Sequence, residues 1–216
     1  MTGNSVLKER NACVQVIDDD ASIRQALEDL LMSVGYDVRC FSDADSYLRA
    51  EPVEGPSCLV LDIRMPGLSG MDFHRRLLEQ GASTPVIFIT GHGDIAMGVE
   101  AMKNGAIEFL TKPFRDIDLL DALHRGLVLD EARLASEGER RVLMERWAGL
   151  TAGERDVAHR VVAGLLNKQT AAELELSEIT VKVRRASLMR KMQAASLPDL
   201  VRQIDRLRAC PEFGME

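Results

Sequence analysis

The 216-residue sequence lacks long apolar segments, cysteine pairs and a leader-like N-terminus. Its apolar runs, such as residues 86–89, fall far short of the ~20 residues that a transmembrane helix needs, and residues 1–10 contain no apolar signal core. Four cysteines lie far apart with no CxxC pair, which argues against a zinc site and a disulfide framework. We therefore expect a cytoplasmic protein that makes no contact with membranes.

The residues that are present have the composition of a globular protein, with 46% hydrophobic and 28% charged residues. The net charge of −7 is unevenly distributed, because residues 1–130 carry 12 basic and 21 acidic residues whereas residues 131–216 carry 15 and 13. This asymmetry indicates two functional halves. Residues 179–191 contain five basic residues and no acidic one, so a basic stripe is available for nucleic acid despite the acidic total.

The first half alternates short apolar runs with amphipathic stretches of helical length, which is typical of βαβ units. We predict an α/β fold with a doubly wound parallel sheet of five strands and five helices. The predicted strands are residues 13–17, 37–41, 58–61, 85–89 and 106–110. The predicted helices between them lie near residues 21–34, 43–50, 70–80 and 94–104.

Reactive side chains stand where these predicted strands end. Asp18 and Asp19 follow the first strand, Asp62 the third, Thr90 the fourth and Lys112 the fifth. Because the carboxyl ends of parallel strands share one edge of the sheet, we expect these side chains to converge. Packed carboxylates favour a hard divalent cation such as Mg²⁺, which also neutralises charge on a transferring phosphoryl group. In this interpretation Asp62 is the covalent acceptor, and Lys112 and Thr90 bind phosphoryl oxygens.

Four motifs give the first half a family resemblance. They are VIDDD (16–20), LVLDIRMPGLSG (59–70), FITGHGD (88–94) and FLTKPF (109–114). With these motifs in order, residues 11–130 resemble the receiver domain of two-component response regulators, which has a flavodoxin-like fold. The resemblance implies that a histidine kinase phosphorylates Asp62, and that Asp18 and Asp19 form the acidic pair of which the second contacts Mg²⁺. It also implies that the backbone carbonyl of Arg64 is a metal ligand.

The same resemblance implies a conformational switch. Thr90 and Phe109 match the switch pair, in which the hydroxyl moves towards the phosphoryl group and the aromatic ring turns inwards. Lys112 matches the phosphate-binding lysine that precedes a cis bond to Pro113. Phe109 alone could equally be core filling, since single aromatic residues in strands commonly are.

Some residues near these motifs have simpler interpretations. Asp20 is well placed to cap the helix that begins near residue 21. His74 and His124 are predicted to lie on helix surfaces, without the spacing of metal ligands. His92 and the Arg64 side chain each lie two residues beyond a site residue, and we expect both to shield the acyl phosphate from water and to slow its hydrolysis.

A helix is predicted to connect the two halves, since no proline interrupts residues 116–147. Four leucines at helical spacing fit either a dimer-forming coil or a solvated spacer: Leu120, Leu123, Leu127 and Leu134. Gly138 lowers helix stability by about 1 kcal/mol relative to Ala and marks a flexing point. The predicted domains are a receiver at 1–127, a helical linker at 128–147 and a DNA-binding domain at 148–216.

Capping signals divide the last third into four helices, which predicts an all-α helix-turn-helix domain. Thr151 and Glu154 form a capping box for the first helix, and Asn167, Ser177 and Ser196 are predicted to cap the other three. The second and third helices are joined tightly around residues 175–176. The third, from about residue 178, would be the recognition helix.

Helical periodicity assigns two faces to this third helix. Val181, Leu188 and Met192 fall within about 40° of one another and form a core stripe. The opposite face carries Lys182, Val183, Ala186 and Arg190, with Ile179 beside them and Ser187 nearer the edge. Cationic and small apolar groups together suit a major groove, where they meet guanine and the thymine methyl. The alternative is a solvated basic face with no partner.

A second resemblance concerns this domain. LTAGE (150–154), GLLNKQTAAELELS (164–177) and TVKV (180–183) resemble the LuxR/FixJ type of DNA-binding domain, so the whole chain is similar to FixJ-class regulators. Three positions depart from the family pattern. The family usually has Arg at Gly153, His at Arg184 and Asn at Ser187, and the last two positions lie on the recognition helix.

The resemblance implies roles for several residues of this domain. Lys182, Val183 and Ala186 match the base-facing positions, and Lys168 and Thr180 lie near phosphates. Arg185 is expected to be structural and to pair with Glu154.

Two resemblances together predict a transcription regulator rather than an enzyme. Phosphotransfer from a histidine kinase to Asp62 would expose a dimer surface on the fourth helix and fifth strand, and a homodimer would then bind promoter DNA. One alternative is a phosphorylation-controlled protein-interaction module with degenerate DNA binding. Another is an aspartyl-phosphate phosphatase, although such enzymes need a second Asp where this chain has Arg64.

Overall fold

The computed structural model describes residues 12–91 and 95–209, and the chain divides into two compact units, Met1–Leu134 and Ala135–Glu216. The domain bounds 1–127, 128–147 and 148–216 stay a prediction. None of the helices in the described ranges is both long enough and apolar enough to span a bilayer.

The first unit contains a five-stranded parallel sheet in the order β2-β1-β3-β4-β5. Its strands are β1 (Cys13–Ile17), β2 (Asp37–Phe41), β3 (Ser57–Asp62), β4 (Val86–Thr90) and β5 (Glu108–Thr111). Its helices are α1 (Ala21–Ser33), α2 (Ala44–Arg49), α3 (Gly70–Glu79), α4 (Ile95–Lys103) and the first part of α5 (Asp116–Ala148), whose residues 135–148 belong to the second unit. The strand order places β3 at the centre, between β1 and β4, and the predicted doubly wound fold is confirmed.

Burial of the central strands explains why their sequences are continuous apolar runs. Every residue of β1, β3 and β4 is buried, whereas the edge strands β2 and β5 are partly exposed. Alternate residues supply two separate cores, because neighbouring side chains on a strand point to opposite faces. Val14, Val60 and Ile87 pack with α1 and α5, while Leu59, Leu61 and Phe88 pack on the other face. The apolar pattern therefore fixes which helices cover which face.

Helix α5 lies close against β3 at two points. A Cβ atom on Gly126 would lie 2.8 Å from Cys58 Sγ, so any larger residue would force the Cys58 side chain or the helix to shift. Four residues further on, the buried Asp130 carboxylate accepts the backbone N–H of Ser57 at 2.8 Å and is also bound by Arg133. The first residue of β3 is thus held by a charged group from α5. The helix continues through Gly138 to Ala148.

The second unit contains four further helices, α6 (Ala152–Val162), α7 (Asn167–Glu173), α8 (Glu178–Lys191) and α9 (Leu197–Arg208). Their core includes Val157, Val181, Leu188, Met192 and Ile204. All five are fully shielded or nearly so, and the predicted core stripe on the third helix is confirmed.

Most of the predicted caps are confirmed. Thr151 and Glu154 bind each other's backbone N–H groups at the start of α6, and the Ser177 and Ser196 hydroxyls cap α8 and α9. The prediction for Asn167 is wrong. The chain turns one residue earlier, at Leu166, whose N–H is bound by the Gln169 side chain at 2.8 Å.

The predictions for three of the four histidines had different outcomes. His124 is exposed, as predicted. The prediction of a surface position for His74 is wrong, because its ring is buried edge-on against Phe88 with the ring centroids 5.3 Å apart. This burial lowers the pKa of His74, since the charged imidazolium is the form that loses hydration. His92 lies outside the described residues.

Candidate functional site

The carboxyl edge of the sheet brings together side chains from four strands. Asp18 follows β1, Asp62 and Thr90 are the last residues of β3 and β4, and Lys112 follows β5. The Lys112 ammonium lies 2.6 Å from Asp18 Oδ2 and 3.3 Å from Asp62 Oδ1. The Asp18 and Asp62 carboxylates are buried, so their charges are only weakly screened by water. Thr90 is buried as well. The sequence-predicted residues thus form one cluster.

Three carboxylates at this edge form an acidic group. Oxygen atoms of Asp18, Asp19 and Asp62 all lie within 4.8 Å of one another. Burial raises the pKa of the Asp62 carboxyl, Lys112 opposes this effect, and Asp18 and Asp19 reinforce it. One ammonium does not neutralise three carboxylates, and a hard divalent cation with oxygen ligands meets the remaining demand. The donor set therefore fits Mg²⁺.

Local hydrogen bonds fix the acidic pair at the end of β1. Asp18 Oδ1 accepts the N–H of Asp20 at 2.9 Å, and the Asp18 carbonyl accepts a hydrogen bond from Arg24 at 2.7 Å. The Asp20 carboxylate in turn accepts the N–H of Ser22 at 2.8 Å, which confirms Asp20 as the N-cap of α1. Both Asp18 carboxylate oxygens therefore have partners, because Oδ2 is bound by Lys112. Asp19 is the exposed member of the pair.

A functional residue that the sequence analysis missed is Gly70. Its N–H donates to the Ile63 carbonyl at 2.9 Å, which folds the loop after Asp62 back onto the start of α3. A Cβ atom at this position would collide with the Asp62 carbonyl oxygen and lie 3.0 Å from its carbonyl carbon. The available signal was the Ser-Gly pair that closes the motif at residues 59–70, but glycine alone does not reveal a close approach.

We expect Gly70→Ala to disturb the Asp62 loop, because the colliding atoms belong to the backbone and cannot rotate away. The free energy of unfolding should fall by about 2 to 3 kcal/mol, and phosphorylation by a small phosphodonor should slow. Urea titration and a phosphate-affinity gel measure the two effects. Gly138→Ala is the matched control, since a Cβ there meets open space and its helical position favours alanine. Equal effects of the two substitutions would contradict this account.

Residues predicted to move on phosphorylation lie on the two strands beside the cluster. Thr90 is buried, and its carbonyl accepts the N–H of Lys112 at 2.7 Å. Phe109 is half-buried and packs beside Gly98 of α4. The peptide bond between Lys112 and Pro113 is cis, as expected. On the paired strands β4 and β5, Thr90 lies opposite Thr111, two residues beyond Phe109.

A surface cavity opens beside Asp19. It is lined by the side chains of Arg64, Met65, Met71 and Met97, among others. The Arg64 side chain is exposed at the rim. The cavity therefore adjoins the exposed member of the acidic cluster.

The recognition-helix candidate α8 exposes the mixed face that the sequence predicted. Ile179 and Val183 are 74% and 64% exposed, and Ala186 and Arg190 are exposed beside them. Lys182 forms a solvent-exposed ion pair with Glu178 at 3.4 Å, which is weak enough to exchange for another anion. The face therefore presents cations and methyl groups together.

Two further candidates for phosphate contacts lie at the starts of α7 and α8. Lys168 is exposed near the start of α7. Thr180 is half-buried, and its hydroxyl lies 2.8 Å from the Ser177 hydroxyl. Both positions lie at the amino ends of the two helices of the helix-turn-helix.

The predicted pairing of Arg185 with Glu154 is wrong. Arg185 donates to Asn167 Oδ1 at 3.0 Å and so joins α8 to α7. Glu154 instead binds Lys191 Nζ and the N–H of Thr151, both at 2.7 Å. Burial alone would raise the pKa of the Glu154 carboxyl, but these partners and the Ser187 hydroxyl outweigh it and lower the pKa to about 2.

Glu154→Gln should destabilise the second unit at neutral pH by about 2 kcal/mol, because it removes a charge-assisted hydrogen-bond network. A depressed carboxyl pKa stabilises the fold above the usual value of 4.5, and this contribution disappears as the pH falls towards about 2. The difference between the wild type and the variant should therefore shrink in acid. Thermal unfolding from pH 7 to pH 3 tests this, with the exposed Glu145→Gln as control. A pH-independent difference would contradict it.

The three departures from the LuxR-type pattern lie together in space. The Arg184 guanidinium occupies the volume above Gly153, where a Cβ atom would lie 2.6 Å from its central carbon. The Ser187 hydroxyl, one helical turn along α8, bonds to Glu154. An arginine at position 153 and an arginine at position 184 would compete for one space. Gly153, Arg184 and Ser187 are thus compatible with one another. The capping box of α6 is intact beside them, and the core stripe of α8 stays buried.

Comparison with known families agrees with both halves of this description. Residues 14–124 match the response regulator receiver domain, and residues 148–204 match the bacterial regulatory proteins of the luxR family. The chain belongs to the response regulators that carry a receiver domain and a LuxR-type DNA-binding domain. Such a combination implies phosphorylation-dependent regulation of transcription, and it speaks against the phosphatase alternative.

Individual relatives extend over almost the whole chain. The response regulator protein TodT of Pseudomonas putida is 44% identical over 207 residues, covering 96% of this chain and 91% of TodT. The transcriptional regulatory protein FixJ of Bradyrhizobium diazoefficiens is 43% identical over 189 residues, covering 88% of this chain and 92% of FixJ. The structure of the response regulator StyR superposes with a TM-score of 0.83 at 43% identity, covering 91% of this chain and all of that one.

Proposed function

We propose that this protein accepts a phosphoryl group on Asp62 from a histidine kinase, dimerises and then binds promoter DNA through α8. The observation that carries the proposal is the position of the Lys112 ammonium, which contacts Asp18 and Asp62 at the carboxyl edge of the sheet. Such a cation next to a buried carboxylate prepares it to receive an anionic group. The cytoplasmic location expected from the sequence stays a prediction.

Each residue of the cluster has a distinct task in this phosphotransfer. An Asp62 carboxylate oxygen attacks the phosphorus atom, and the bond to the kinase imidazole breaks. Lys112 and the Thr90 hydroxyl bind phosphoryl oxygens of the product. Asp18, Asp19, Asp62 and the Arg64 carbonyl would hold Mg²⁺. When bound, this ion supplies positive charge that offsets the repulsion between the carboxylates and the transferring group.

The face formed by α4 and β5 supports the proposed homodimer. Ile95 is 88% exposed, and Val99 and Met102 are about half exposed on the same helix. Together with Phe109 and Lys103 these residues line a shallow apolar groove. Because the Phe109 ring belongs to the groove and also to the proposed switch pair, its rotation would change the shape of the surface. Movement of Thr90 after phosphorylation of Asp62 would thus change the dimer surface through the Phe109 ring.

The mixed face of α8 supports the proposed DNA contacts. Lys182 and Arg190 would donate to guanine edges or phosphates, and Val183 and Ala186 would meet thymine methyl groups. Lys168 and Thr180 would contact phosphates that flank the groove. Two copies would bind a two-fold site together, so a modest affinity of each DNA-binding domain becomes useful.

Binding of the full chain to duplexes from upstream of its own operon tests the proposal. Fluorescence anisotropy is measured with and without phosphoramidate and Mg²⁺, and light scattering follows the oligomeric state. We expect tighter binding and a dimer only when the phosphodonor is present. A dimer with no affinity for any duplex would favour the protein-interaction module instead, and no response to the phosphodonor would refute the switch.

A further inference from the structure

Arg184 differs from the other cations of α8 in its surroundings. The other four have bonded partners: Lys182 with Glu178, Arg185 with Asn167, Arg190 with Ser187, and Lys191 with Glu154 and the Gly149 carbonyl. Within residues 12–91 and 95–209, no hydrogen bond or ion pair is made by Arg184. Glu154, which follows Gly153 in the chain, is already bound by Lys191 at 2.7 Å. A half-buried guanidinium is thus held without a counter-charge.

Gly153 explains how the guanidinium is held. A Cβ atom on Gly153 would lie 2.6 Å from the central carbon of the guanidinium and 3.1 Å from its Nε. The flat group therefore rests on the backbone of α6, which limits the freedom of an otherwise flexible side chain. Because little rotamer entropy is left to lose, such a preorganised cation binds an anion more strongly than a free one.

The position of Arg184 on α8 indicates which kind of anion its guanidinium would bind. At 100° per residue, Arg184 lies between the buried Val181 and the exposed Val183, on the flank that faces α6. When the exposed face of a recognition helix enters a major groove, its flanks face the sugar-phosphate strands that border the groove. A guanidinium there meets phosphate oxygens rather than base edges, and its planar fork matches their geometry.

We infer that Arg184, seated on Gly153, binds a DNA backbone phosphate and positions α8 in the groove. The inference rests on the proposed DNA binding. It adds a phosphate contact that depends on Gly153 and Arg184 together. The contact is independent of sequence, so it strengthens binding to all duplexes about equally.

The test does not need the operator. The phosphoramidate-treated full chain is titrated into a fluorescein-labelled duplex of mixed sequence, three helical turns long, at several salt concentrations. Each phosphate contact contributes ~0.9 to the slope of log K against log salt, so Arg184→Ala should lower that slope by about this amount and weaken binding. Arg202→Ala is the matched control, since Arg202 is an exposed arginine on α9 that pairs with Asp199.

Gly153→Ala provides a second variant that keeps the charge. The added Cβ displaces the guanidinium, while alanine improves the helix propensity of α6, so weaker DNA binding would come without a lower melting temperature. In the double variant Gly153→Ala with Arg184→Ala, the glycine substitution should have no further effect on binding. This non-additivity separates positioning of Arg184 from a general effect on α6.

The outcomes distinguish the inference from the function on which it rests. An unchanged slope for Arg184→Ala, together with a lower slope for Lys182→Ala, overturns the inference and leaves DNA binding in place. Additive effects of the two substitutions overturn the role of Gly153. If the wild-type chain shows no salt-dependent binding to any duplex, the proposed function itself fails.

Discussion

The Asp62→Asn variant should not respond to a phosphodonor at all. Its amide has the shape of the carboxylate but is too weak a nucleophile to attack phosphorus, so no acyl phosphate forms. We expect no shifted band on a phosphate-affinity gel and no increase in DNA affinity with phosphoramidate and Mg²⁺. The fold should persist, because the substitution removes a charge from a cluster with too many carboxylates and introduces no bulk.

A matched aspartate distinguishes this effect from a general loss of negative charge. Asp45 is exposed in α2 and is not a member of the acidic cluster, and Asp45→Asn should behave as the wild type in both assays. Phosphorylation of Asp62→Asn at the wild-type rate would place the acceptor on another residue. Phosphorylation-independent DNA binding in both variants would instead remove the link between the two halves.

Lys112→Ala should slow phosphorylation of Asp62 by about 100-fold. The ammonium contacts both Asp18 and Asp62, so its loss removes a cation that stabilises the transferring phosphoryl oxygens and leaves these two carboxylates without their cationic partner. Time courses with phosphoramidate at saturating Mg²⁺ measure the rate. An effect on rate that exceeds the effect on donor affinity would show that the ammonium acts in the transition state.

The matched control for this variant is Lys168→Ala, because Lys168 lies on α7 in the second unit and has no place in phosphotransfer. Its phosphorylation rate should equal that of the wild type. A Lys112→Ala variant that reacts at the wild-type rate would contradict the assigned role. Circular dichroism of each variant verifies that the sheet has formed.

The acidic cluster could be predicted from the sequence because the ends of buried strands can be located in the sequence alone. Fully apolar runs identify buried parallel strands, and the next residue along the chain must then reach the carboxyl edge. Asp18, Asp62, Thr90 and Lys112 were placed by this rule, and the structure brings them together. The residue type and the strand end together carried the information.

Three of the misses have a different origin, since each depends on contacts between elements. The family resemblance gave Arg185 a structural role but could not say that Asn167, rather than Glu154, faces it. His74 is polar in sequence, yet its ring packs on Phe88 because an imidazole can offer an apolar face. Gly70 is one of 16 glycines, and only the folded chain shows that a Cβ atom at this position would collide with the Asp62 backbone.

The departures at Gly153 and Arg184 gain meaning only in three dimensions. In the sequence they are 31 positions apart and read as two independent losses from a family pattern. In the structure they fill one space, because the absent side chain of one makes room for the larger side chain of the other. A single sequence cannot show that two substitutions compensate each other.

Strand β3 is held at both ends by buried charges. Asp130 binds the N–H of Ser57 at its start, and Lys112 contacts Asp62 at its end. A slip of one residue against its neighbours would turn every side chain to the opposite face, placing Leu61 in the acidic cluster and separating Asp130 from its donor. The alignment of this strand is therefore secured five residues away from the phosphoacceptor, and mutations in α5 near Asp130 can misplace Asp62 without touching it.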